Sequence, residues 1–344
     1  MKKLSTFLEN SVFIIAELSA NHAGKKEVAI ETIKAAKRAG ANAIKLQTYT
    51  ADTMTLKSDA KDFLIDHETV WDGRYLHDLY KEASTPWEWH KELFNIANEE
   101  GLICFSSPFD FTAVDFLESL DNPIYKIASL EITDIPLIEY IAQKEKPMII
   151  STGIATLEDI ELALDACKRM GNNQVSLLKC TSSYPAPMEE ANLSMIADLA
   201  NRFKVFSGLS DHTLGITAPV IAVTQGAKII EKHFILDRSI GGPDASFSLN
   251  EQEFTQMVAA VREAEVALGK VDYNLTSKQR LGRNFSRSLY IVKDVKKGDV
   301  VTSKNVRSIR PGFGMHPKHL PIIIGKTFVK DFTSGTRMEQ TLIQ

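Results

Sequence analysis

Two lysines, two histidines and a set of serines and glutamates close eight short apolar runs in this sequence, and their types define the chemistry open to them. The runs, rich in Ile, Val and Phe, are FIIAEL (13–18), AIKLQT (43–48), ICFSSP (103–108), IYKIAS (124–129), PMIISTG (147–153), VSLLKCTS (175–182), KVFSGLSDH (204–212) and AKIIEKHF (227–234). Glu17, Asn21 and His22 follow the first run; Lys45 and Gln47 close the second; Ser106 and Ser107 close the third; Lys126, Ser129 and Glu131 close the fourth. Ser151 and Thr152, then Thr181, Ser182 and Tyr184, then Ser210, Asp211 and His212, then Glu231 and His233 close the others. An unpaired lysine in a strand is costly unless it meets a carboxylate or another anion. Lys45 and Lys126 therefore pair with Glu17 or Glu131, lie on the helix-facing side of their strands, or bind a ligand. Two lysines with serines on neighbouring strands make a cradle for a phosphate and a carboxylate, with lysine acting as a point charge where arginine would clamp more rigidly.

His212 and His233 close successive runs, so their rings can meet and share one divalent metal. A lone buried histidine is more often a hydrogen-bonded core residue; the pairing on adjacent strands favours ligation. Two imidazoles suit Mn²⁺, Fe²⁺, Co²⁺ or Zn²⁺ better than Mg²⁺, which prefers oxygen ligands. His22 stays open between ligand and a helix-capping turn, Asn21–His22–Ala23–Gly24. A metal-hydrolase barrel would show His-x-His after its first strand, and only His22 is present there. Ser210, Asp211 and His212 are consecutive, point in different directions and cannot form a nucleophile relay.

These residues need a scaffold that gathers eight strand ends at one place. Segments of helical period separate the runs: KKEVAIETIKAAKRAG (25–40) closes on Gly40, TLEDIELALDACKRMG (156–171) opens with the capping pair Thr156 and Asp159, and NEQEFTQMVAAVREAEVALG (250–269) follows the last run. Apolar strands alternating with helices predict a parallel sheet covered by helices. Eight such units predict an α/β fold, a (β/α)8 TIM barrel, whose chemistry sits at the C-terminal ends of the strands. The first turn, ELSANHAGKK, lacks the G-x-G-x-x-G of a doubly wound nucleotide fold. The expected organisation is a catalytic barrel over 1–270, a linker over 271–285 and a small β-rich domain over 286–344, punctuated by glycines such as Gly298, Gly312 and Gly335. The long insertion 49–85 reads as a lid or an interface arm. A net charge of −4 and 24% charged residues without a basic block exclude a nucleic-acid partner. Cys104, Cys167 and Cys180 have no Cys-x-x-Cys spacing, and the N-terminal apolar run is too short for a signal peptide or membrane span, so a cytoplasmic location is expected.

The blocks FIIAELSANHAG, AIKLQTY, CFSSPFD, YKIASLEITD, ISTGIAT, KCTSSYPAP, GLSDHTLG, EKHFILDRSIGGPDASFSL and RSIRPGFG resemble the sialic acid synthase family in order and spacing across nearly the whole chain. Leu18–Ser19–Ala20, Ala128 and Ser182, where neuraminate enzymes usually carry Ile–Gly–x and Asn at the first and last of these, resemble its pseudaminate-forming branch. The resemblance implies a barrel fused to an antifreeze-like (SAF) domain in a domain-swapped homodimer. It implies condensation of phosphoenolpyruvate with an amino-sugar aldehyde and water, releasing phosphate by C–O cleavage. In that branch the sugar is 2,4-diacetamido-2,4,6-trideoxy-altrose; the alternative products are legionaminic and N-acetylneuraminic acid. Phosphoenolpyruvate positions fall on Lys45, Lys126, Ser129, Ser151, Ser182 and Ser210, and metal ligands on His212 and His233, with Mn²⁺ expected and Mg²⁺ or Co²⁺ as substitutes. Sugar contacts fall on Glu17, Gln47, Tyr184, Asp244 and Phe285, and Arg310 would reach the sugar in trans. Glu17 and Glu131 are the expected proton carriers, and the metal would polarise the aldehyde. A heptulosonate-type synthase would need a second cluster of basic residues, and none is present. The remaining rival, a sugar- or ice-binding module on an inactive barrel, conflicts with the intact set of lysines, histidines and glutamates.

Overall fold

Side-chain alternation in the eight strands separates the interior of a closed barrel from its helical jacket. A computed structural model describes Leu8, residues 11–66 and residues 69–344. The strands are β1 (Phe13–Glu17), β2 (Ala43–Thr48), β3 (Ile103–Pro108), β4 (Tyr125–Ile127), β5 (Met148–Ser151), β6 (Val175–Cys180), β7 (Phe206–Asp211) and β8 (Ile229–His233). Each pairs in parallel with the next, and β8 closes on β1 with Glu17 opposite His233.

Outward residues such as Ile14, Ile44, Ile127, Leu177 and Ile230 pack under the helices. Inward residues Phe13, Ile15, Ala43, Phe105, Ile149, Leu178 and Ile229 fill the barrel floor. Such filled layers make the barrel a packed core and not a pore. Because the side-chain period is two, the next inward residue of each strand stands one layer nearer the C-terminal mouth. At that layer the sequence turns from apolar to polar.

The helices between the strands carry the expected signals. Thr156 with Asp159, and Asn250 with Glu253, form reciprocal capping boxes on Leu157–Arg169 and Glu251–Leu268. Gly40, at φ +88°, turns the chain out of Lys26–Arg38 and back toward β2, a conformation that disfavours any side chain with a Cβ. The strand expected over 124–129 ends earlier, at Ile127, because Ser129–Glu131 coils into a 3-10 turn and Asp134 caps the helix Ile135–Ala142.

Insertion 49–85 contains the helices Ala51–Met54 and Leu76–Ala83. It lies against the barrel's own rim, where Trp71 Nε1 donates to the Pro243 carbonyl at 3.0 Å.

The chain divides into two compact units between Gly269 and Lys270. In the second unit β9 (Ser288–Ile291) and β10 (Val306–Ile309) pair antiparallel. Leu289, Ile291, Val301, Val306, Phe328 and Met338 form its core. The stretch expected as a linker, 271–285, contains the helix Ser277–Gly282 and the 3-10 turn Arg283–Phe285, because Thr276 and Gln279 cap each other. Among the described residues no helix is long and apolar enough to cross a membrane.

Candidate active site

Glu17, Lys45, Ser107, Lys126, Ser151, Ser210 and Glu231 are buried at the strand ends, one layer above the apolar floor. Lys45 pairs with Glu17, and its Nζ is 3.9 Å from Glu231 Oε2. Lys126 Nζ donates to Glu231 Oε1 at 3.1 Å, and Ser210 Oγ donates to the same oxygen at 3.0 Å. The lysines thus satisfy part of their need within the protein, through Glu17 as one expected partner and through Glu231 in place of Glu131.

Pairing does not exhaust the site. Ser151 Oγ, Ser182 Oγ, Glu131 Oε2 and Glu231 Oε2 are buried without a hydrogen-bond partner. Buried polar atoms normally find partners, so a cluster of orphans marks the place of a ligand. Ser129 Oγ accepts from Gly153 N at 3.1 Å. A Cβ on Gly153 would overlap the Ser182 hydroxyl and come within 2.7 Å of the Ser129 hydroxyl. Glycine at 153 therefore lets the loops after β4, β5 and β6 converge.

Protonation sorts the carboxylates. Burial pushes Glu17 up to about 7 despite the pull of Lys45, with repulsion from Glu231 adding to the rise. Burial also pushes Glu131 up to about 7. Glu231 is equally buried, yet Lys126 and Lys45 outweigh desolvation and hold it below the usual carboxylate range. Carboxylates whose environments drive them apart in this way divide into a fixed counter-charge and proton carriers.

The raised Glu131 makes a stability prediction. Its unfolded carboxyl titrates at about 4.3, so its favourable contribution is complete below that pH and is lost as pH rises through about 7. Glu131→Gln should match the parent at pH 4 and exceed it at pH 8 by about 1–2 kcal/mol, discounted for partial exposure. Denaturant unfolding of both proteins at the two pH values checks this, and a pH-independent difference would contradict it.

His212 and His233 do meet, with ring centroids 5.3 Å apart. His212 Nδ1 lies 2.9 Å from the Thr181 carbonyl, which can only accept, so Nδ1 carries the hydrogen and Nε2 is left to face a ligand. His233 is held well below the usual imidazole range, by burial first and then by His212, and so stays in the neutral form that ligates. Its Nδ1 is buried without a hydrogen bond, 3.6 Å from Asp244 Oδ2. Two adjacent imidazoles with such an orphaned nitrogen suit a divalent metal whose remaining positions go to water or substrate oxygen. Among the described residues no three His, Cys, Asp or Glu side chains converge as a closed metal cage.

Tyr184 lies 4.3 Å from the His212 ring, centroid to centroid, and Gln47 follows Lys45 on the inward face of β2. Phe285 and Arg310, both exposed, belong to the second unit. His22 resolves as the turn residue: its Nδ1 accepts from Gly24 N at 3.0 Å and its Nε2 meets Thr85 Oγ1 at 3.2 Å. Two polar residues counted with the rim face the helices. Ser106 bonds Thr48 and Asn122, and Asp211 pairs with Lys232 at 2.5 Å.

The sequence profile of the NeuB family matches residues 32–273, and that of the SAF domain matches residues 286–336. The chain belongs to the NeuB family. Among NeuB-family relatives, a protein of Campylobacter jejuni serotype O:2 named "Pseudaminic acid synthase" is 50% identical over 96% of this chain and 96% of its own length. A Helicobacter pylori protein of the same name is 45% identical over 94% of this chain and 95% of its own length. The crystal structure of N-acetylneuraminic acid (sialic acid) synthetase from Leptospira borgpetersenii, in complex with citrate, superposes with a TM-score of 0.71 at 32% identity, covering 79% of this chain and 90% of that one.

Within this NeuB-family barrel, Glu231 is the residue that reasoning from sequence left without a role. It shares the inward face of β8 with His233, two residues on, so its orientation was readable from alternation. Its bonds to Lys126 and Ser210 were not.

Proposed function

We propose that this chain condenses phosphoenolpyruvate with the open-chain aldehyde of 2,4-diacetamido-2,4,6-trideoxy-β-L-altropyranose and water, forming pseudaminic acid and phosphate. The observation that carries the proposal is near-full-length identity of 45–50% to proteins named for that product, joined to a buried lysine and serine cluster with orphaned polar atoms. Lys45 and Lys126 face the phosphate and carboxylate of phosphoenolpyruvate, and Ser129, Ser151, Ser182 and Ser210 offer hydroxyls to them. Glu231 stays ionised and gives both lysines a buried counter-charge when the ligand leaves. Carbon 3 of phosphoenolpyruvate joins the aldehyde carbon, water adds at carbon 2, and phosphate leaves by C–O cleavage. Glu17 and Glu131, poised near neutrality, carry the protons of the sugar oxygen and the attacking water.

His212 and His233 would hold a divalent metal, Mn²⁺ in the first place with Mg²⁺ or Co²⁺ as substitutes. Bound there, it would supply Lewis-acid polarisation of the sugar carbonyl. Gln47, Tyr184 and Asp244 orient the sugar from the barrel. Phe285 and Arg310 complete the site from the second domain of the other chain in a domain-swapped homodimer, with Arg310 acting in trans. The residues 1–270 act as the catalytic domain and 286–344 as the SAF domain, and the enzyme works in the cytoplasm, where Cys104, Cys167 and Cys180 remain thiols.

Phosphate release with phosphoenolpyruvate and a panel of amino-sugar aldehydes tests the substrate assignment. A preference for N-acetylmannosamine would overturn it. Mixing an Arg310→Ala variant with a His233→Ala variant tests the trans contribution, which predicts recovered activity from two inactive proteins.

A further inference from the structure

We infer that the indole of Trp71 forms the wall against which the methyl-bearing end of the sugar packs, so that the loop around Trp71 selects which sugar is accepted. The inference rests on the pseudaminate proposal above and names the element that would enforce it. From the two histidines a line of rings leads outward. Tyr184 stands 4.3 Å from His212, and Trp71 stands 5.3 Å from Tyr184, tilted by 50°. Phe247 packs behind, 5.3 Å from Tyr184 and 5.0 Å from His233. A sugar whose aldehyde lies at the histidines therefore points its far end past Tyr184 toward the indole.

The indole has no donor left for a hydroxyl. Its Nε1–H is spent on the Pro243 carbonyl at 3.0 Å, one residue before Asp244, so it offers carbon surface alone. Beside it opens a cavity of about 460 Å³ bordered by Val70, Arg74, Glu82, Pro243 and Ser246, with Arg74 paired to Glu82. The described residues beside Trp71 are tied together by hydrogen bonds. Asp72 Oδ1 accepts from Thr69 N and Oγ1 at 2.8 and 2.9 Å. Ile65 and Arg74 close its base, with Ile65 N donating to the Arg74 carbonyl and Gly73 N to the Ile65 carbonyl, both at 2.9 Å. A preorganised apolar wall costs little ordering on binding. The indole face rewards a C6 methyl and offers a C6 hydroxyl no hydrogen-bond partner in exchange for its water.

The test compares kcat/KM for the trideoxy sugar and for its 6-hydroxy counterpart in the parent enzyme, Trp71→Ala and Trp71→Phe. One carbon group in an apolar pocket discriminates by about 10–200-fold, and an added hydroxyl is rejected by about 100-fold at most. The parent should therefore favour the trideoxy sugar by about 10–100-fold. Trp71→Ala should lose about 30-fold on that sugar, mainly in KM, and less than about threefold on the hydroxylated one, with the KM for phosphoenolpyruvate unchanged. Trp71→Phe should keep most of the preference. Retained turnover of the hydroxylated sugar also reports that the alanine variant is folded. Equal losses on both sugars, with the parent preference intact, would overturn the Trp71 assignment alone. Failure of the parent to use the trideoxy sugar would overturn it together with the functional proposal.

Discussion

Replacing His233 with Ala should lower kcat by about 10³-fold, because loss of Lewis-acid stabilisation is worth several kcal/mol and each 1.36 kcal/mol is about tenfold. His233 is buried at the end of β8 beside His212, and its Nδ1 makes no hydrogen bond that the fold would miss. Stability should therefore fall by only about 1 kcal/mol, the usual cost of a truncated buried side chain with no broken network. Chelation should inactivate the parent to a similar degree. Added Mn²⁺ should restore the parent and leave the variant inactive. Steady-state rates of product formation, measured with and without chelator, decide the matter. If the variant forms product at the parent rate with metal removed, the two-imidazole assignment is wrong.

Lys126→Met should have two separable effects. Among the described residues it leaves the buried Glu231 with only Lys45, at 3.9 Å, as an ion-pair partner, and breaking a buried pair on one side costs about 3–5 kcal/mol. On the proposed assignment it should also remove a charge-assisted contact to phosphoenolpyruvate, raising that KM by about 100-fold. Adding Glu231→Gln should recover most of the stability, since the uncompensated charge is gone, but should leave the KM high. Denaturant unfolding of the single and double variants, set beside phosphoenolpyruvate titrations, separates the two. Recovery of both properties in the double variant would show that Lys126 serves only as the partner of Glu231.

Much of the fold was legible because a buried parallel strand announces itself as a continuous apolar run. β2 and β3 run over the residues of AIKLQT and ICFSSP. β4 did not, because Ser129 and Glu131 continue the run in composition while the backbone has already turned. The site was legible by rule of alternation to a useful depth. Glu17, Lys45 and Ser210 face inward as their spacing from apolar floor residues requires. The same rule, applied strictly, would have turned Ser106 and Asp211 outward, since Ser107 and Ser210 beside them point in.

The sequence by itself determined that eight strand ends carry a polar layer, that this layer holds two lysines, and that two histidines close successive strands. Those properties follow from residue type and a period of two, which are local. Only the tertiary structure decided that Glu231 of the last strand serves Lys126 from the fourth and lies near Lys45 from the second, because those residues become neighbours when β8 closes on β1. It likewise decided that Trp71, more than a hundred residues before Tyr184 in the chain, packs against it at the barrel mouth. Charges and rings interact through distances, and no local pattern encodes the distance between segments that only the closed barrel brings together.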